Sequence, residues 1–456
     1  MDTPLMNALL RYQKANRVRC HMPGHKGKDD PIFGPLLSFD VTEISGTDSL
    51  YECSDALRET ELLYSRLYDT ADSLLSAGGS TLCIQTMLAL VAKRGGHIIA
   101  SRSIHVSAVN AMGLLGLNPV WVYPKGEAQL PGRILPEDIE KMLQTYPDAL
   151  AVYITSPDYY GLVSDISAIS EVCRRYHVPL LVDNAHGAHL RFLQPNRHPI
   201  ALGASMCCDS LHKTLPTLTG AALLYLGQEF AAQFEGNGVS PSRSKEGGAL
   251  YRQAKEKMSI FGSTSPNYLI MLSIDRCLSF LDNCDFTGMV KQIQELESIA
   301  QERGFRIPSG ERDGCKLVLD ATKLGYTGKE LAQQMRDFGI EPEYADRVWV
   351  ILLFSPLTEY RDYQTIKRFL HKLPALPERI VDPTPFVKPK ISCTLSDAFL
   401  RDGEYLPLSQ CEGRVAAAVK SPCPPGIPVV MPGEWIDKKL INVLKNSGIS
   451  MLKVLK

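Results

Sequence analysis

The chain has 456 residues, 45% of them hydrophobic and 22% charged, with a net charge of −1. That length calls for two or three domains and that balance for a globular protein, with no global field to draw in nucleic acid or acidic membranes. No window approaches the ~18 uncharged apolar residues of a membrane span, the start Met1-Asp2-Thr3-Pro4-Leu5-Met6 lacks a secretory pattern, and the twelve scattered cysteines without CxxC spacing suit a reducing cytoplasm.

In chain order, the first feature is His21-Met22-Pro23-Gly24-His25-Lys26-Gly27, a turn-rich segment that reads as a surface loop. Its two histidines stand four apart across a proline and a glycine, off any shared helical face, so no metal is expected. From about residue 75 to 226, short apolar runs alternate with helical periodicity. Strands are predicted at His97–Ser101, Pro119–Tyr123, Leu150–Thr155, Pro179–Asp183, Ser205–Asp209 and Ala221–Leu226. Helices are predicted at Thr81–Lys93, Val106–Leu115, Leu135–Thr145 and Ile166–Tyr176. This alternation implies an α/β fold with a mostly parallel, doubly wound sheet, in which ligands collect at the carboxyl ends of strands.

Beyond a polar loop at 237–248, a long helical pattern runs from Tyr268 to Glu302 into a second α/β pattern. Its markers are the run Gly314–Asp320, a helix near Gly328–Phe338 and the strand Val348–Phe354. Pro374, Pro377, Pro383, Pro385 and Pro389 mark 373–390 as a linker. The expected divisions are an N-terminal arm (1–60), a large domain (61–285), a smaller α/β domain (286–375) and a C-terminal α+β module (376–456).

The chemistry concentrates in Asp209-Ser210-Leu211-His212-Lys213-Thr214. Alone, Lys213 would be an ordinary solvated lysine. Beside it, Ser210 and His212 offer hydrogen bonds to a phosphate, and cationic or apolar neighbours free an ammonium to form a Schiff base. Asp183 alone would be a helix N-cap. It stands thirty residues before Lys213, about one strand-helix-strand unit, which brings both to the same sheet edge. An amine and a carboxylate at one edge are the two handles of pyridoxal phosphate, one for its aldehyde and one for its pyridine nitrogen.

Gly78-Gly79-Ser80-Thr81, ahead of a helix, offers free amides and a helix dipole to a phosphate, although an ordinary capped helix looks the same. His105 opens the next helix, where a histidine is most often a cap partner; in a pyridoxal phosphate site its ring can cover one face of the pyridine. Of His186 and His189, one is expected at the cofactor and the other in the scaffold. Neither GxxxxGK[ST] nor GxGxxG occurs, so a nucleotide is not indicated.

These residues together resemble the Orn/Lys/Arg decarboxylases, fold-type-I pyridoxal phosphate enzymes of the aspartate aminotransferase superfamily, in the short form of Gram-positive bacteria. The resemblance runs nearly end to end. It includes Met22-Pro23-Gly24-His25-Lys26-Gly27, Thr42-Glu43 with Asp48, Gly79-Ser80-Thr81, and Thr155-Ser156-Pro157 with Tyr159-Tyr160-Gly161. It continues through Asp183-x-Ala185-His186-Gly187-Ala188-His189, Ser210-x-His212-Lys213 and Thr264-Ser265-Pro266. Near the end come Pro424-Pro425-Gly426-Ile427-Pro428 and Pro432-Gly433-Glu434. Asn184, Val106 and Cys83-Ile84 depart from the family's usual residues.

The resemblance implies a large domain of the pyridoxal phosphate-dependent transferase type and a role for each residue. Lys213 takes the aldehyde, Asp183 pairs with the pyridine nitrogen, His105 stacks on the ring and Ala185 lies against its other face. Ser80, Thr81, Ser210 and His212 hold the phosphate, and His186 is the second histidine at the cofactor. The implied reaction is decarboxylation of a basic amino acid, arginine narrowly ahead of lysine and ornithine, to CO₂ and agmatine or a diamine for polyamine biosynthesis. His212 or Lys213 returns a proton to Cα. For the substrate's distal cation, the candidate carboxylates are Glu43, Asp48, Asp158 and Glu434. The expected form is a cytoplasmic homodimer or higher homo-oligomer with no nucleic-acid or membrane partner. Two other readings stay open: another reaction of the same cofactor, such as transamination, and a weakly active cofactor-binding paralogue with a regulatory role.

Overall fold

The computed structural model describes residues 1–125, 130, 132–234, 243–381, 387–421 and 426–456. Part of the polar loop (237–242), the linker residues Pro383 and Pro385, and the motif residues Pro424 and Pro425 lie outside the described residues. The chain forms two compact units, Met1–Val91 with Ile166–Cys284, and Ala92–Asp165 with Asp285–Lys456.

In chain order the strands are β1 Asp72–Ser76, β2 His97–Ser101, β3 Asn118–Val122, β4 Ala151–Thr155, β5 Leu180–Asp183, β6 Met206–Ser210, β7 Ala222–Leu226, β8 Lys316–Asp320, β9 Tyr344–Ala345, β10 Trp349–Leu353, β11 Gly403–Pro407 and β12 Met451–Leu455. The helices are α1 Pro4–Lys14, α2 Ala56–Tyr68, α3 Gly79–Val91, α4 Val106–Leu115, α5 Pro136–Thr145, α6 Ile166–Arg175, α7 Leu211–Thr214, α8 Gln228–Ala232, α9 Ala249–Phe261, α10 Tyr268–Leu281, α11 Phe286–Glu302, α12 Gly328–Asp337, α13 Tyr360–Lys372, α14 Leu395–Ala398 and α15 Lys438–Asn446. Among the described residues, no helix is long and apolar enough to cross a membrane.

In the first unit the strands lie in the order β1-β7-β6-β5. β5 and β6 are parallel, and β7 runs antiparallel to both β6 and β1. β1, β5 and β6 therefore point the same way. The carboxyl ends of β1 and β6 are level, since Ser76 and Ser210 both pair with Ala222, and β5 ends two residues short of them, with Asp183 beside Cys208. Every residue of these four strands is buried. Burial on both faces explains why β5 and β7 read as unbroken apolar runs.

β1 was not predicted, because three of the five residues in Asp72-Ser73-Leu74-Leu75-Ser76 are polar. Those polar groups find partners instead of water. Arg58 Nη2 donates to Asp72 at 2.6 Å, and the Ser73 amide donates to Ser65 Oγ at 2.8 Å.

In the second unit β2 lies between β3 and β4, parallel to both. A separate antiparallel sheet has the order β8-β10-β9, and β11 pairs with β12. Leu408, Val430, Ile436, Leu440, Leu444 and Leu452 form a core of their own beside that last pair.

The predicted strands between His97 and Leu226 fall within one residue of those observed. The helical pattern from Tyr268 to Glu302 divides into two helices, α10 and α11. The break occurs because the Asp285 carboxylate accepts the Gly288 amide at 2.7 Å and so starts a new helix with its own N-cap.

Candidate active site

The neighbouring carboxyl ends of β1, β5 and β6 carry the chemistry of the first unit. Asp183 is the last residue of β5 and is buried; its Oδ1 accepts the Ala185 amide at 3.1 Å. β6 ends on Ser210, and the single turn α7 that follows carries His212 and Lys213. Lys213 Nζ lies 3.0 Å from Nε2 of the buried His186. Thirty residues of chain thus return to the same sheet edge.

The end of β1 delivers the third component. Gly79, at φ +67°, turns the chain into α3, and its amide donates to the Gly220 carbonyl at 2.8 Å. A Cβ at Gly79 would meet no atom within 4 Å, so the space over this turn is open. The first-turn amides of a helix have no acceptor within it and carry the positive end of its dipole. Beside them, Ser210 Oγ donates to Ser80 Oγ at 2.9 Å, while Thr81 is exposed. A cavity of about 400 Å³ is lined by Gly78, Thr81, Tyr51, Ser265 and Pro266, so the Thr264-Ser265-Pro266 turn borders this glycine turn within one chain.

Hydrogen bonding settles the state of His212. Its Nδ1 lies 3.0 Å from the Ala221 carbonyl, which can only accept, so Nδ1 carries the hydrogen. Burial pulls the ring's pKa below its ordinary value and the Lys213 charge adds to this, against the Ala221 carbonyl. The neutral ring therefore presents Nε2 as an acceptor.

Asn184, one of the departures from the family pattern, has a local cause. Its Nδ2 donates to Asp209 Oδ1 at 2.6 Å, and Asp209 also lies 3.2 Å from His198 Nε2; all three residues are buried. An acid at 184 would set two buried carboxylates face to face, whereas the amide supplies a donor. His189 and Ala185 are buried as well.

His105 belongs to the second unit, at the N-cap of α4. Its Nδ1 accepts the Ser107 amide at 3.2 Å and lies 2.8 Å from Ser107 Oγ, so the capping role is present.

Three of the four carboxylates considered for a distal cation are committed elsewhere. Asp48 accepts the amides of Ser54, Asp55, Leu57 and Arg58 and so begins α2. Asp158 is buried and held by the Leu162 amide at 2.8 Å. Glu434 is buried against Arg102, 3.1 Å away. Glu43 is exposed, with no ion pair among the described residues.

An amine, a buried carboxylate and a hydroxyl pair at a helix N-terminus, all on one strand edge with open space over Gly79, form a donor set that fits pyridoxal phosphate. Sequence reasoning missed Asp209 as the partner of residue 184, and it missed Arg102. Neither carries a motif, and Arg102 finds Glu434 only 332 positions later.

Residues 3–303 match the family model described as Orn/Lys/Arg decarboxylase, major domain, and residues 380–448 match the C-terminal domain. An uncharacterized protein, YaaO, of Bacillus subtilis (strain 168) is 29% identical over 471 residues, covering 97% of this chain and 94% of its own. An arginine decarboxylase of Halalkalibacterium halodurans is 27% identical over 483 residues, covering 99% and 95%. The solved constitutive lysine decarboxylase of Escherichia coli shares the fold with a TM-score of 0.78 at 19% identity, covering 100% of this chain and 82% of its own.

Proposed function

The chain belongs to the Orn/Lys/Arg decarboxylase family, and from that premise we propose that it converts arginine to agmatine and CO₂. It is a pyridoxal phosphate-dependent amino-acid decarboxylase of the α/β fold-type-I class. The observation that carries the reading is the convergence of Asp183, Ser210, Ser80, His186 and Lys213 on one strand edge. Arginine is favoured because relatives named arginine decarboxylase align over nearly all of this chain.

When bound, pyridoxal phosphate supplies a conjugated electron sink for the pair released as the Cα–carboxylate bond breaks. Lys213 Nζ would be the amine for its aldehyde. Asp183, buried at the end of β5, would face the pyridine nitrogen as its carboxylate partner and hold a proton there. Ser80, Thr81 and Ser210, with the leading amides of α3 and His212 alongside, would hold the phosphate. Ala185 would lie against the pyridine, and the role proposed for the His105 ring is to cover it.

The carbon left by CO₂ must gain one proton. We assign its delivery to Lys213, because His212 keeps its hydrogen on Nδ1 toward Ala221 and resists a second one. His186, 3.0 Å from Lys213 Nζ, accepts from the ammonium or donates to the free amine, and so holds Nζ in place in both states.

The reading extends to a cytoplasmic homodimer or higher homo-oligomer supplying polyamine biosynthesis. The oligomer is supported by the first unit's arm, where Val18, Met22, Ile32, Phe33 and Leu36 are all exposed. A solvated monomer seldom shows so dense an apolar stretch.

The test is CO₂ release by the cofactor-loaded protein with arginine, lysine and ornithine, beside Lys213→Ala. Release from arginine that disappears in the variant, together with the cofactor's bound absorbance, is expected. Bound cofactor without CO₂ from any of the three would remove the decarboxylase reading.

A further inference from the structure

The C-terminal part of the second unit is joined to the β2–α4 turn at several points. Gly426 O accepts the Val106 amide at 2.9 Å, one residue beyond His105. Three residues before His105, Arg102 donates to the carbonyls of Pro428 at 2.8 Å and Val429 at 3.3 Å. Its Nη2 also lies 3.1 and 3.2 Å from the two oxygens of Glu434. Glu434 Oε2 in turn accepts the Met431 amide at 2.8 Å. Arg102 and Glu434 are both buried, so the pair is shielded from screening and competing water.

Between these anchors the backbone passes the imidazole edge at close range. Gly426 is at φ +70°, and a Cβ there would fall 2.7 Å from His105 Nε2 and 2.8 Å from its Cδ2. The opposite edge is fixed too. Nδ1 accepts the Ser107 amide, so it carries no hydrogen, and the neutral ring bears its hydrogen on Nε2, the edge facing Gly426. The ring is thus held between its own helix start and a glycine more than 300 residues away.

We infer that Gly426 is a positioning residue for His105, setting the plane of that ring, with the Arg102–Glu434 pair anchoring both strands of chain. The inference rests on the proposed reading that His105 covers the cofactor ring. It assigns a task to the C-terminal module: to fix the tilt of one ring in the β2–α4 turn. A glycine is required because any side chain at 426 would push the imidazole out of its plane.

The experiment compares Gly426→Ala with Gly448→Ala in the full-length, cofactor-loaded protein. Both glycines sit at positive φ (+70° and +76°), but a Cβ at 448 meets nothing within 4 Å. The two variants therefore share the backbone strain, and only one touches His105. Cofactor affinity and the absorbance of the bound cofactor are measured with kcat and KM, in each variant and in the His105→Ala background.

Gly426→Ala is expected to shift the absorbance and weaken cofactor binding about tenfold, the order of one lost ring-stacking contact. Gly448→Ala is expected to leave both unchanged. His105→Ala is expected to match Gly426→Ala, and the double variant to be no worse than either. Additive losses in the double variant, a Gly448→Ala spectrum like that of Gly426→Ala, or an unaltered His105→Ala overturns the inference. A wild-type chain that takes up no cofactor overturns instead the decarboxylase reading on which it rests.

Discussion

His186 Nε2 and Lys213 Nζ lie 3.0 Å apart although the residues sit on different strand connections, one after β5 and one after β6. The contact makes the imidazole the immediate neighbour of the amine proposed to gain and lose a proton in each turnover. His186→Ala should therefore slow CO₂ release by about 10²-fold, within the usual range for a positioned proton-transfer partner. Cofactor uptake should persist, because Asp183 and the Ser80–Ser210 pair are untouched. Measuring the two separately decides the matter: equal loss of both would make His186 a scaffold residue.

The Ser80–Ser210 contact predicts non-additive losses. The two hydroxyls are 2.9 Å apart and in the proposed site would serve one phosphate, so removing either disturbs the other. Each alanine variant should weaken cofactor binding by about tenfold, near the value of one charge-assisted hydrogen bond. The double variant should fall well short of the product. Titration of the cofactor into the four proteins gives the answer, and independent, multiplying losses would count against a shared phosphate.

Much of this edge was legible in the sequence because local signals agree there. The runs Leu180–Val182 and Leu223–Leu226 are apolar enough to declare buried strands, and Asp183 and Lys213 stand at their ends or connections. β1 escaped notice because its burial depends on Arg58 and Ser65, partners that no window of sequence contains. The same holds for Arg102 with Glu434. Glu434 looks in sequence like a loose acid after a turn, yet it is buried against a guanidinium 332 positions earlier in the chain. Asn184 reads as a departure until Asp209 is seen to require a donor there.

Glu43 is the carboxylate left for a distal guanidinium, since Asp48, Asp158 and Glu434 are committed. Glu43→Gln should raise KM for arginine about tenfold or more and leave kcat within about twofold, because a contact to the guanidinium would lie far from the bond that breaks. A steady-state comparison suffices. A fall in kcat at unchanged KM would place Glu43 outside the substrate's binding.

The exposed apolar stretch of the arm predicts self-association through it. Ile32 is 86% and Phe33 57% exposed. Replacing both with aspartate puts two charges into any interface they form and should shift the protein to monomer, as read by sedimentation velocity. The isolated chain should keep its fold, because neither side chain contributes to the described core. An unchanged sedimentation coefficient would locate the contact surface elsewhere.

Asp158 predicts a pH-dependent stability. It is buried just after β4, and its Oδ2 has no hydrogen-bond partner among the described residues. Burial, joined by the nearby Asp313 charge, raises its carboxyl to about 7, against the lowering effect of the Leu162 amide and the Lys316 ammonium. The native state therefore keeps a proton that the unfolded chain releases near its ordinary value of 3.8. A raised folded value means stability that is fully present below about pH 4 and lost as pH rises through about 7. Asp158→Asn keeps the oxygen that accepts the Leu162 amide and removes the titration. It should raise stability at pH 8 by on the order of 2 kcal/mol and have little effect at pH 4. Thermal melts of the two proteins across pH 4 to 8 test this. Parallel curves would show that Asp158 is ionised throughout, with Lys316 rather than a bound proton balancing its charge.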